Sequence, residues 1–224
     1  MNICIVNCFD TWEERVDLLF NVMEEGGHNV KVLCSDFRHI EKNKRKDNKK
    51  NYKFFTAKPY KKNISIARLY SHVQLSRDIF KFVEEHSDRI DLLWVLSPPN
   101  CFVRDAARVK KRYPALLLAI DIIDLWPETM PVGGIKKLPV INIWKEMRNM
   151  GLRCADMIIT ECNLYKTILE KEIEGNKTET LYLAHEKKEY RPNLNLPEGK
   201  IGLCYLGSIN NIIDIDCIVD IVKQ

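Results

Sequence analysis

The chain lacks any run of apolar residues long enough to cross a bilayer. A membrane-spanning helix needs about 18 or more predominantly apolar residues in succession, and none of the 224 residues belongs to such a run. The first residues, 1–8, have the apolar pattern of a short strand, without the basic leader and small-residue cleavage site of a secretory signal. We therefore expect a cytoplasmic protein.

The eight cysteines lack the spacing of a metal site or a redox motif. No Cys-x-x-Cys pair occurs in the sequence, although many structural zinc sites and thiol oxidoreductases use that spacing. Cys4, Cys34 and Cys204 fall in predicted strands, and Cys217 falls in a predicted helix. In a cytoplasmic protein such cysteines are reduced and serve as small apolar side chains. We expect neither disulfides nor bound zinc.

Positive charge is concentrated in one segment. Residues 41–63 contain ten Lys or Arg and two Asp or Glu, an excess of eight, whereas the whole chain has a net charge of +4. The rest of the chain is therefore mildly acidic, unlike a uniformly basic nucleic-acid-binding protein, and no nucleic-acid recognition motif occurs. We predict no nucleic-acid partner.

This basic segment has no apolar periodicity, which predicts a loop. Phe54, Phe55 and Tyr60 stand among its lysines. A basic segment with interleaved apolar side chains is attracted to an anionic membrane surface. Two interpretations stay open from the sequence: a solvated loop, or a peripheral contact with the inner face of the cell membrane.

Strand patterns and helix patterns alternate along residues 1–186. The predicted strands are 2–7, 30–34, 91–97, 116–120, 157–160 and 181–184, with a further short strand at 54–56. Helical spacing of apolar residues falls between them, at 12–25, 65–85, 101–112, 140–154 and 162–174. This alternation predicts an α/β fold with a doubly wound, parallel, Rossmann-like sheet.

A change of composition near residue 187 predicts a domain boundary. Residues 187–200 are polar and contain Pro192, Pro197 and Gly199, as is typical of an interdomain linker. An apolar run at 201–208 and a helical pattern at 212–222 follow. We interpret 201–224 as the first strand and helix of a second domain.

Two acids follow the predicted strand 116–120. Open α/β sheets bind their ligands at the carboxyl ends of the strands, and a carboxylate there can accept a proton from an attacking hydroxyl. Asp124 begins the loop and is the better placed candidate for a base, with Asp121 as the second. The alternative is that Asp124 caps the next turn and Asp121 orders the loop.

The segment 59–72 places Lys62 and Arg68 at the start of a predicted helix. Helix amino termini and arginine forks both favour phosphate oxygens, which predicts a diphosphate site. The alternative is a solvated basic helix end. His72 is predicted to be a partly buried polar residue rather than a base.

Three segments, in this order along the chain, resemble family 4 glycosyltransferases of the GT-B fold, bacterial enzymes that build surface polysaccharides. Residues 59–68 resemble a P-Y-x-x-N-x-S-x-x-R stretch found in a subset of the family, residues 121–128 resemble D-x-x-D-L-W-P-E, and residues 155–160 resemble its A-D-x-I-I strand. The resemblance implies retaining transfer of a sugar from a nucleotide-sugar donor to a lipid-linked or saccharide acceptor. It implies no metal and no cofactor apart from that donor substrate.

The resemblance also implies site residues. Asp124 and Asp121 would be catalytic, and the acceptor would be bound by Lys62, Arg68, Trp126 and Glu128. Trp126 either stacks on a sugar ring or closes the loop against the core. Gly207 and Ser208 match the glycine turn that approaches the donor phosphates. The chain departs from the family in having no E-x7-E motif and in carrying Cys-Phe-Asp-Thr-Trp at 8–12 in place of a Gly-Gly turn.

Under this interpretation residues 1–186 are the acceptor-binding domain and 201–224 begin the donor-binding domain. We expect such a chain to be inactive alone. The alternative is a non-catalytic half of a split transferase, completed by a partner chain, or a remnant that only binds acceptor or partner.

Overall fold

The computed structural model describes residues 1–130, 139–185, 199, 202, 204–206 and 214–223. The chain divides into two compact units, Met1–His185 and Glu186–Gln224. The described helix of the second unit spans Ile215–Lys223, and the Asp214 carboxylate accepts a hydrogen bond from the backbone N–H of Cys217.

The first unit is built on strands that the sequence largely predicted. They are β1 (Asn2–Asn7), β2 (Asn29–Ser35), β3 (Phe37–Arg38), β4 (Asn43–Lys44), β5 (Tyr52–Phe55), β6 (Leu92–Ser97), β7 (Leu117–Ile122), β8 (Met157–Thr160) and β9 (Lys177–Thr180). Seven of them form one parallel sheet in the order β5-β2-β1-β6-β7-β8-β9, and β3 pairs with β4 in an antiparallel ribbon. The strand order reverses its direction between β1 and β6.

Helices connect the parallel strands. They are α1 (Glu13–Glu25), α2 (Ile66–Glu85), α3 (Asn100–Arg112), α4 (Pro139–Leu152) and α5 (Asn163–Ile168), with α6 (Ile215–Lys223) in the second unit. The side chain of Ser65 caps α2 by accepting a hydrogen bond from the N–H of Arg68, 3.2 Å away. The predicted doubly wound, Rossmann-like α/β fold is confirmed.

Both faces of the sheet are buried, as a parallel sheet requires. Along β1, Ile3 and Ile5 pack on one face with Val16 of α1, and Cys4 and Val6 pack on the other. That second face holds the larger core, because α2 and α3 cover it with buried Leu, Ile, Val and Phe side chains. Because successive side chains of a strand point to opposite faces, each strand contributes apolar side chains to both layers of the core.

Several predicted elements differ from those of the structure. The strand predicted at 116–120 continues to Ile122, so Asp121 lies inside β7. The last strand of the first unit is at Lys177–Thr180 rather than 181–184, and the helix predicted at 162–174 ends at Ile168, with turns up to Gly175 at φ +82°. Of the predicted strand 201–208 only residues 202 and 204–206 are described, without sheet pairing, so this strand stays a prediction. Polar Thr and Glu alternate in β9, so apolar pattern alone did not show it.

The structure also bears on the predictions made for the cysteines, the linker, the donor turn and membrane-spanning segments. All eight cysteines are free thiols, and the first four, Cys4, Cys8, Cys34 and Cys101, are buried. Residues 187–198 and residues 207 and 208 lie outside the described residues, so the predicted linker and donor turn stay predictions. Within the described parts of the chain, no helix combines the length and apolar character needed to span a bilayer.

Gly151 lets α4 cross α3 closely, and its replacement by Ala should destabilise the fold. An added Cβ would lie 2.7 Å from Cγ1 and 2.9 Å from the carbonyl oxygen of Val103. Overpacking costs about 1–3 kcal/mol, and the better helix propensity of Ala returns about 0.5–1 kcal/mol. We expect Gly151→Ala to lower the free energy of unfolding in urea by about 1–2 kcal/mol. Met150→Ala, at a neighbouring side chain that is 60% exposed, is the control and should change it far less. A stabilised Gly151→Ala variant would contradict the close crossing.

Candidate active site

The predicted site residues gather at the carboxyl edge of the sheet. β1 leads into Phe9, β6 ends at Ser97 before Pro98 and Pro99, and β7 leads into Asp124 and Trp126. This edge includes the point between β1 and β6 where the strand order reverses, which is where open α/β sheets bind their ligands.

Asp121 lies in a buried ion pair. Its carboxylate accepts hydrogen bonds from Nε and Nη2 of Arg15 at 2.9 and 2.8 Å, and from Nε1 of Trp94 at 3.1 Å. Asp121 is 0% exposed and Arg15 is 6% exposed. Arg15 also donates to the carbonyl of Leu181 at 3.0 Å. These contacts link α1, β6, β7 and the segment after β9, so the geometry favours a positioning role for Asp121.

Asp124 is half-buried and held in a fixed orientation. One carboxylate oxygen accepts a hydrogen bond from Nε1 of Trp126 at 2.7 Å, and the other accepts from the hydroxyl of Thr129. Its backbone N–H points to the carbonyl of Ser97, 3.4 Å away. The carboxylate therefore lies in the loop immediately after β7, oriented by two neighbouring side chains.

Glu161 is a further carboxylate at this edge, and sequence reasoning gave it no role. It follows β8, and its N–H donates to the carbonyl of Ile122 at 3.0 Å. Burial raises the pKa of Glu161; nearby Arg15 opposes the rise, and the charges of Asp124 and Asp121 add to it. The signal in the sequence was an acid directly after a buried strand, the same signal that identified Asp124.

Arg68 is a buried cation surrounded by aromatic rings. Its side chain is 6% exposed, and the guanidinium carbon lies 4.5 Å from the ring centre of Trp126, 5.3 Å from Phe9 and 5.8 Å from Tyr60. It donates to the carbonyl of Asn63 at 2.6 Å. Among the described residues, no carboxylate lies within ion-pair distance of Arg68, and its Nε has no hydrogen-bond partner. Burial lowers the pKa of Arg68.

Further polar groups lie beside Arg68. Nδ1 of His39 and the hydroxyl of Tyr60 are 2.7 Å apart, and Lys42 lies over the Tyr60 ring at 4.9 Å. Burial, followed by the charges of Arg68 and Lys42, lowers the pKa of His39 to about 4. His39 is therefore neutral near pH 7, and the local charge comes from Arg68 and Lys42. The sequence did not predict that His39 or Lys42 would reach this point.

Trp126 and Glu128 belong to the loop after β7, where Trp126 is buried and Glu128 is partly buried. Trp126 is 8% exposed, and the ring of His72 stacks on it at 6.4 Å. Glu128 receives two hydrogen bonds from fully buried Arg148, at 2.8 and 2.9 Å, and forms an ion pair with Lys145 at 3.4 Å. Of the two roles predicted for Trp126, the geometry favours closing the loop against the core. Glu128 ties the same loop to α4.

The basic segment is more ordered and more neutralised than the sequence predicted. Arg45 pairs with Glu13, Lys49 with Glu13 and Asp17, and Lys44 with Asp36. The side chain of Arg45 is only 4% exposed and lies over the Phe54 ring at 4.2 Å.

The aromatic residues of this segment also face the protein. Phe55 contacts Phe82 of α2, and Tyr60, 5% exposed, packs on Phe37 at 4.8 Å. Phe54 and Phe55 of β5 are half-buried and Tyr60 is buried, so these three rings pack on the protein and do not offer a free apolar surface to a membrane.

Exposed lysines remain at the end of this segment. Lys58, Lys61 and Lys62 are exposed and form no ion pair with any described acid. Exposed apolar side chains follow them directly: Ile64, Ile66, Leu69 and Tyr70. We call these seven residues the 58–70 patch. The structure thus separates Lys62, on this patch, from Arg68, inside the fold.

No group of three or more His, Cys, Asp or Glu has metal-binding geometry within the described residues. The polar groups assembled at the sheet edge are instead one oriented carboxylate, one carboxyl with a raised pKa and one buried guanidinium. Together they can accept a proton and bind an anion.

Comparison with known proteins supports the fold. No family model and no curated protein matches the chain. A sucrose-phosphate synthase from Thermosynechococcus elongatus has a similar structure, with a TM-score of 0.52 and 9% identity, over 83% of this chain and 91% of that chain. CetZ from Methanosaeta thermophila strain DSM 6194 has a TM-score of 0.41 and 14% identity, over 74% of this chain and 46% of that one, too weak a likeness to indicate a shared fold. The chain thus has a Rossmann-like α/β fold that is also found in a GT-B glycosyltransferase.

Proposed function

We propose that the chain is the acceptor-binding part of a glycosyltransferase that moves a sugar from a nucleotide-sugar to an acceptor carrying a diphosphate. The fold shared with a sucrose-phosphate synthase and the three segments that resemble family 4 enzymes support the reaction class. The same resemblance supports retention of configuration, independence from metal and a place in surface-polysaccharide synthesis.

The buried guanidinium of Arg68 is the observation that carries this proposal. A buried charge is costly unless an opposite charge or hydrogen bonds compensate it. Arg68 donates to the Asn63 carbonyl and interacts with the Tyr60 hydroxyl, but it has no carboxylate partner within ion-pair distance in the described structure. A diphosphate would supply the missing counter-charge through a forked pair of hydrogen bonds. Lys42 stands beside it as a second cation.

Asp124 is proposed as the base. For retention, the acceptor hydroxyl oxygen bonds to the anomeric carbon of the donor sugar on the same face from which the nucleoside diphosphate departs with the electrons of the broken bond. The proton of the hydroxyl passes to the Asp124 carboxylate. Trp126 and Thr129 hold Asp124 in one orientation for this step. Asp121 is assigned a positioning role through Arg15.

Anion binding at Arg68 can be tested on the chain itself with inorganic pyrophosphate. Losing a hydrogen bond to a charged group costs about 1.5–3 kcal/mol, so Arg68→Gln should weaken pyrophosphate binding by roughly 10-fold or more in a calorimetric titration. Arg112→Gln is the matched control, because that side chain is 62% exposed and pairs with Glu84. Equal affinities of wild type and Arg68→Gln would contradict an anion site at Arg68.

We further propose that an anionic membrane surface is contacted through the 58–70 patch of the basic segment and helix α2. A polybasic segment gains about 1 kcal/mol per Lys or Arg near such a surface, and exposed Ile66, at 85%, offers apolar area beside the charges. Lys44, Arg45 and Lys49 are already paired with acids and contribute less.

A triple variant, Lys58→Gln, Lys61→Gln and Lys62→Gln, should release the protein from phosphatidylserine vesicles in a sedimentation assay. Binding of the wild type should fall with salt, because charges are screened beyond about 8 Å at physiological ionic strength. The control variant, Lys166→Gln, Lys171→Gln and Lys177→Gln, removes the same number of positive charges elsewhere on the chain. It should still bind the vesicles. If both triple variants bind vesicles equally, the patch is not the contact surface.

A further inference from the structure

A groove between α2 and α4 lies next to the candidate active site. Its volume is about 210 Å³. Its walls are apolar side chains of the two helices: Leu69, Val73, Ile143, Trp144 and Met147. His72 also lines it, from the same helix as Leu69 and Val73.

His72 is the unusual member of this lining. It is 3% exposed, and neither of its ring nitrogens has a hydrogen-bond partner in the described structure. The rings of Phe9, Tyr60 and Trp126 surround it at 5.2, 5.9 and 6.4 Å. A buried polar group without a partner is rare, because desolvation of the group is then uncompensated.

The imidazole of His72 is neutral near pH 7. Burial, followed by the charge of Arg68, places the pKa of His72 well below its ordinary value. A neutral imidazole carries one donor nitrogen and one acceptor nitrogen. It therefore matches a hydroxyl group, which both donates and accepts, better than it matches an anion.

A second unpartnered atom belongs to Asn100, which is adjacent in sequence to the lining residues Pro99 and Cys101. Asn100 is fully buried and does not itself line the groove. Its side-chain N–H₂ donates to the carbonyls of Trp126 and Trp144 at 3.1 and 3.0 Å, which fixes the amide, while its Oδ1 has no partner. Of these two residues, His72 is the one that lines the groove, and it offers a neutral imidazole without a hydrogen-bond partner in the described structure.

We propose that this groove is a binding site for an uncharged, hydroxyl-bearing apolar molecule, with the hydroxyl on His72 and the apolar body between Leu69, Val73 and Ile143. At the packing density of protein interiors, the volume holds a ligand of about ten non-hydrogen atoms. Apolar walls with few convergent polar groups are the usual composition of small-molecule sites. Arg68 shares the rings of Phe9, Tyr60 and Trp126 with His72 but does not line the groove, and binding there needs no sugar transfer.

The test uses two probes of nearly equal shape, 4-propylphenol and propylbenzene, on the full chain. We expect 4-propylphenol to bind with one-to-one stoichiometry and at least about tenfold more tightly than propylbenzene, since the hydrocarbon leaves His72 unpartnered. His72→Phe should abolish this preference and keep the affinity for propylbenzene. Equal affinities of the two probes for the wild type, binding of neither probe, or a hydroxyl preference retained in His72→Phe would overturn the proposal.

A measurement on the unaltered protein keeps the test decisive if His72→Phe does not fold. The ring-nitrogen NMR resonances of His72 should shift on addition of 4-propylphenol, whereas those of His185, whose side chain is 76% exposed, should stay unchanged. Binding of 4-propylphenol without a shift at His72 would place the probe elsewhere and overturn the proposal. Loss of pyrophosphate binding at Arg68 would leave this result untouched, so the two proposals fail independently.

Discussion

Asp124→Asn should lower the rate of sugar transfer by roughly 10²–10⁴-fold when the chain is combined with a donor-binding partner chain or domain. The amide keeps the shape of the carboxylate but cannot accept the hydroxyl proton. One amide oxygen can still accept a hydrogen bond from Trp126 or Thr129, so the loop should stay folded. Single-turnover rates with a radiolabelled nucleotide-sugar would measure the effect, and circular dichroism would check the fold.

The neighbouring carboxyl provides the control for Asp124. Glu161→Gln removes a second acid at the same edge of the sheet, one whose pKa is raised by burial. If Asp124 is the base, Glu161→Gln should change the rate far less than Asp124→Asn. Transfer within a factor of about three of wild type in Asp124→Asn, or a larger loss in Glu161→Gln, would place the base elsewhere.

Arg15→Met should lower the free energy of unfolding by about 3–5 kcal/mol, the usual cost of leaving a buried charge without its partner. Met approximates the length of the arginine stem, so the change removes mainly the charge and its hydrogen bonds. Asp121 would then keep only the bond from Trp94 while remaining 0% exposed. The loss would also free the Leu181 carbonyl, which ties the segment after β9 to α1. Urea unfolding followed by tryptophan fluorescence measures the change.

An exposed ion pair offers the comparison for Arg15. Arg112 pairs with Glu84 and is 62% exposed, and such surface pairs contribute about 0–1 kcal/mol. Arg112→Met should therefore shift the unfolding midpoint little. If the two variants lose similar free energies of unfolding, the Arg15–Asp121 pair does not stabilise the fold as a buried pair. That result would favour a catalytic role for Asp121 over a positioning role.

Much of the fold could be predicted because its signals are local. Apolar runs such as β1 and β8 match their predicted bounds, and Ser65 marks the start of α2. Local pattern failed at β9, where strand Lys177–Thr180 is polar and half-exposed. Its position follows from backbone pairing with β8, which leaves little trace in the side chains. Edge strands are held by backbone hydrogen bonds more than by burial, so they are the hardest to predict from composition.

The candidate site could be predicted in part. Arg68, Asp121 and Asp124 all lie at the carboxyl edge of the sheet, where the parallel topology brings strand ends together. Their partners could not be predicted, because each comes from a distant part of the chain: Arg15 is 106 residues from Asp121, and Glu13 is 32 residues from Arg45. The unpaired positive charge of the basic segment was overestimated for the same reason. Counting its charges could not show that acids of α1 form ion pairs with some of them.

The sequence by itself determined the doubly wound α/β class of the first unit, because periods of two and 3.6 residues distinguish strands from helices and specify which face of each element is buried. It also determined that acids lie at the end of β7 and that a cationic side chain lies in the first turn of α2. Only the tertiary structure decided which charges meet. Packing of α1, α2 and the loop after β7 fixed Asp121 in an ion pair and oriented Asp124. In the described structure it also left Arg68 buried without a carboxylate partner and the ring nitrogens of His72 without hydrogen bonds. An ion pair or an unpartnered polar atom depends on distances of a few ångströms between residues far apart in the chain, and no local pattern encodes these distances.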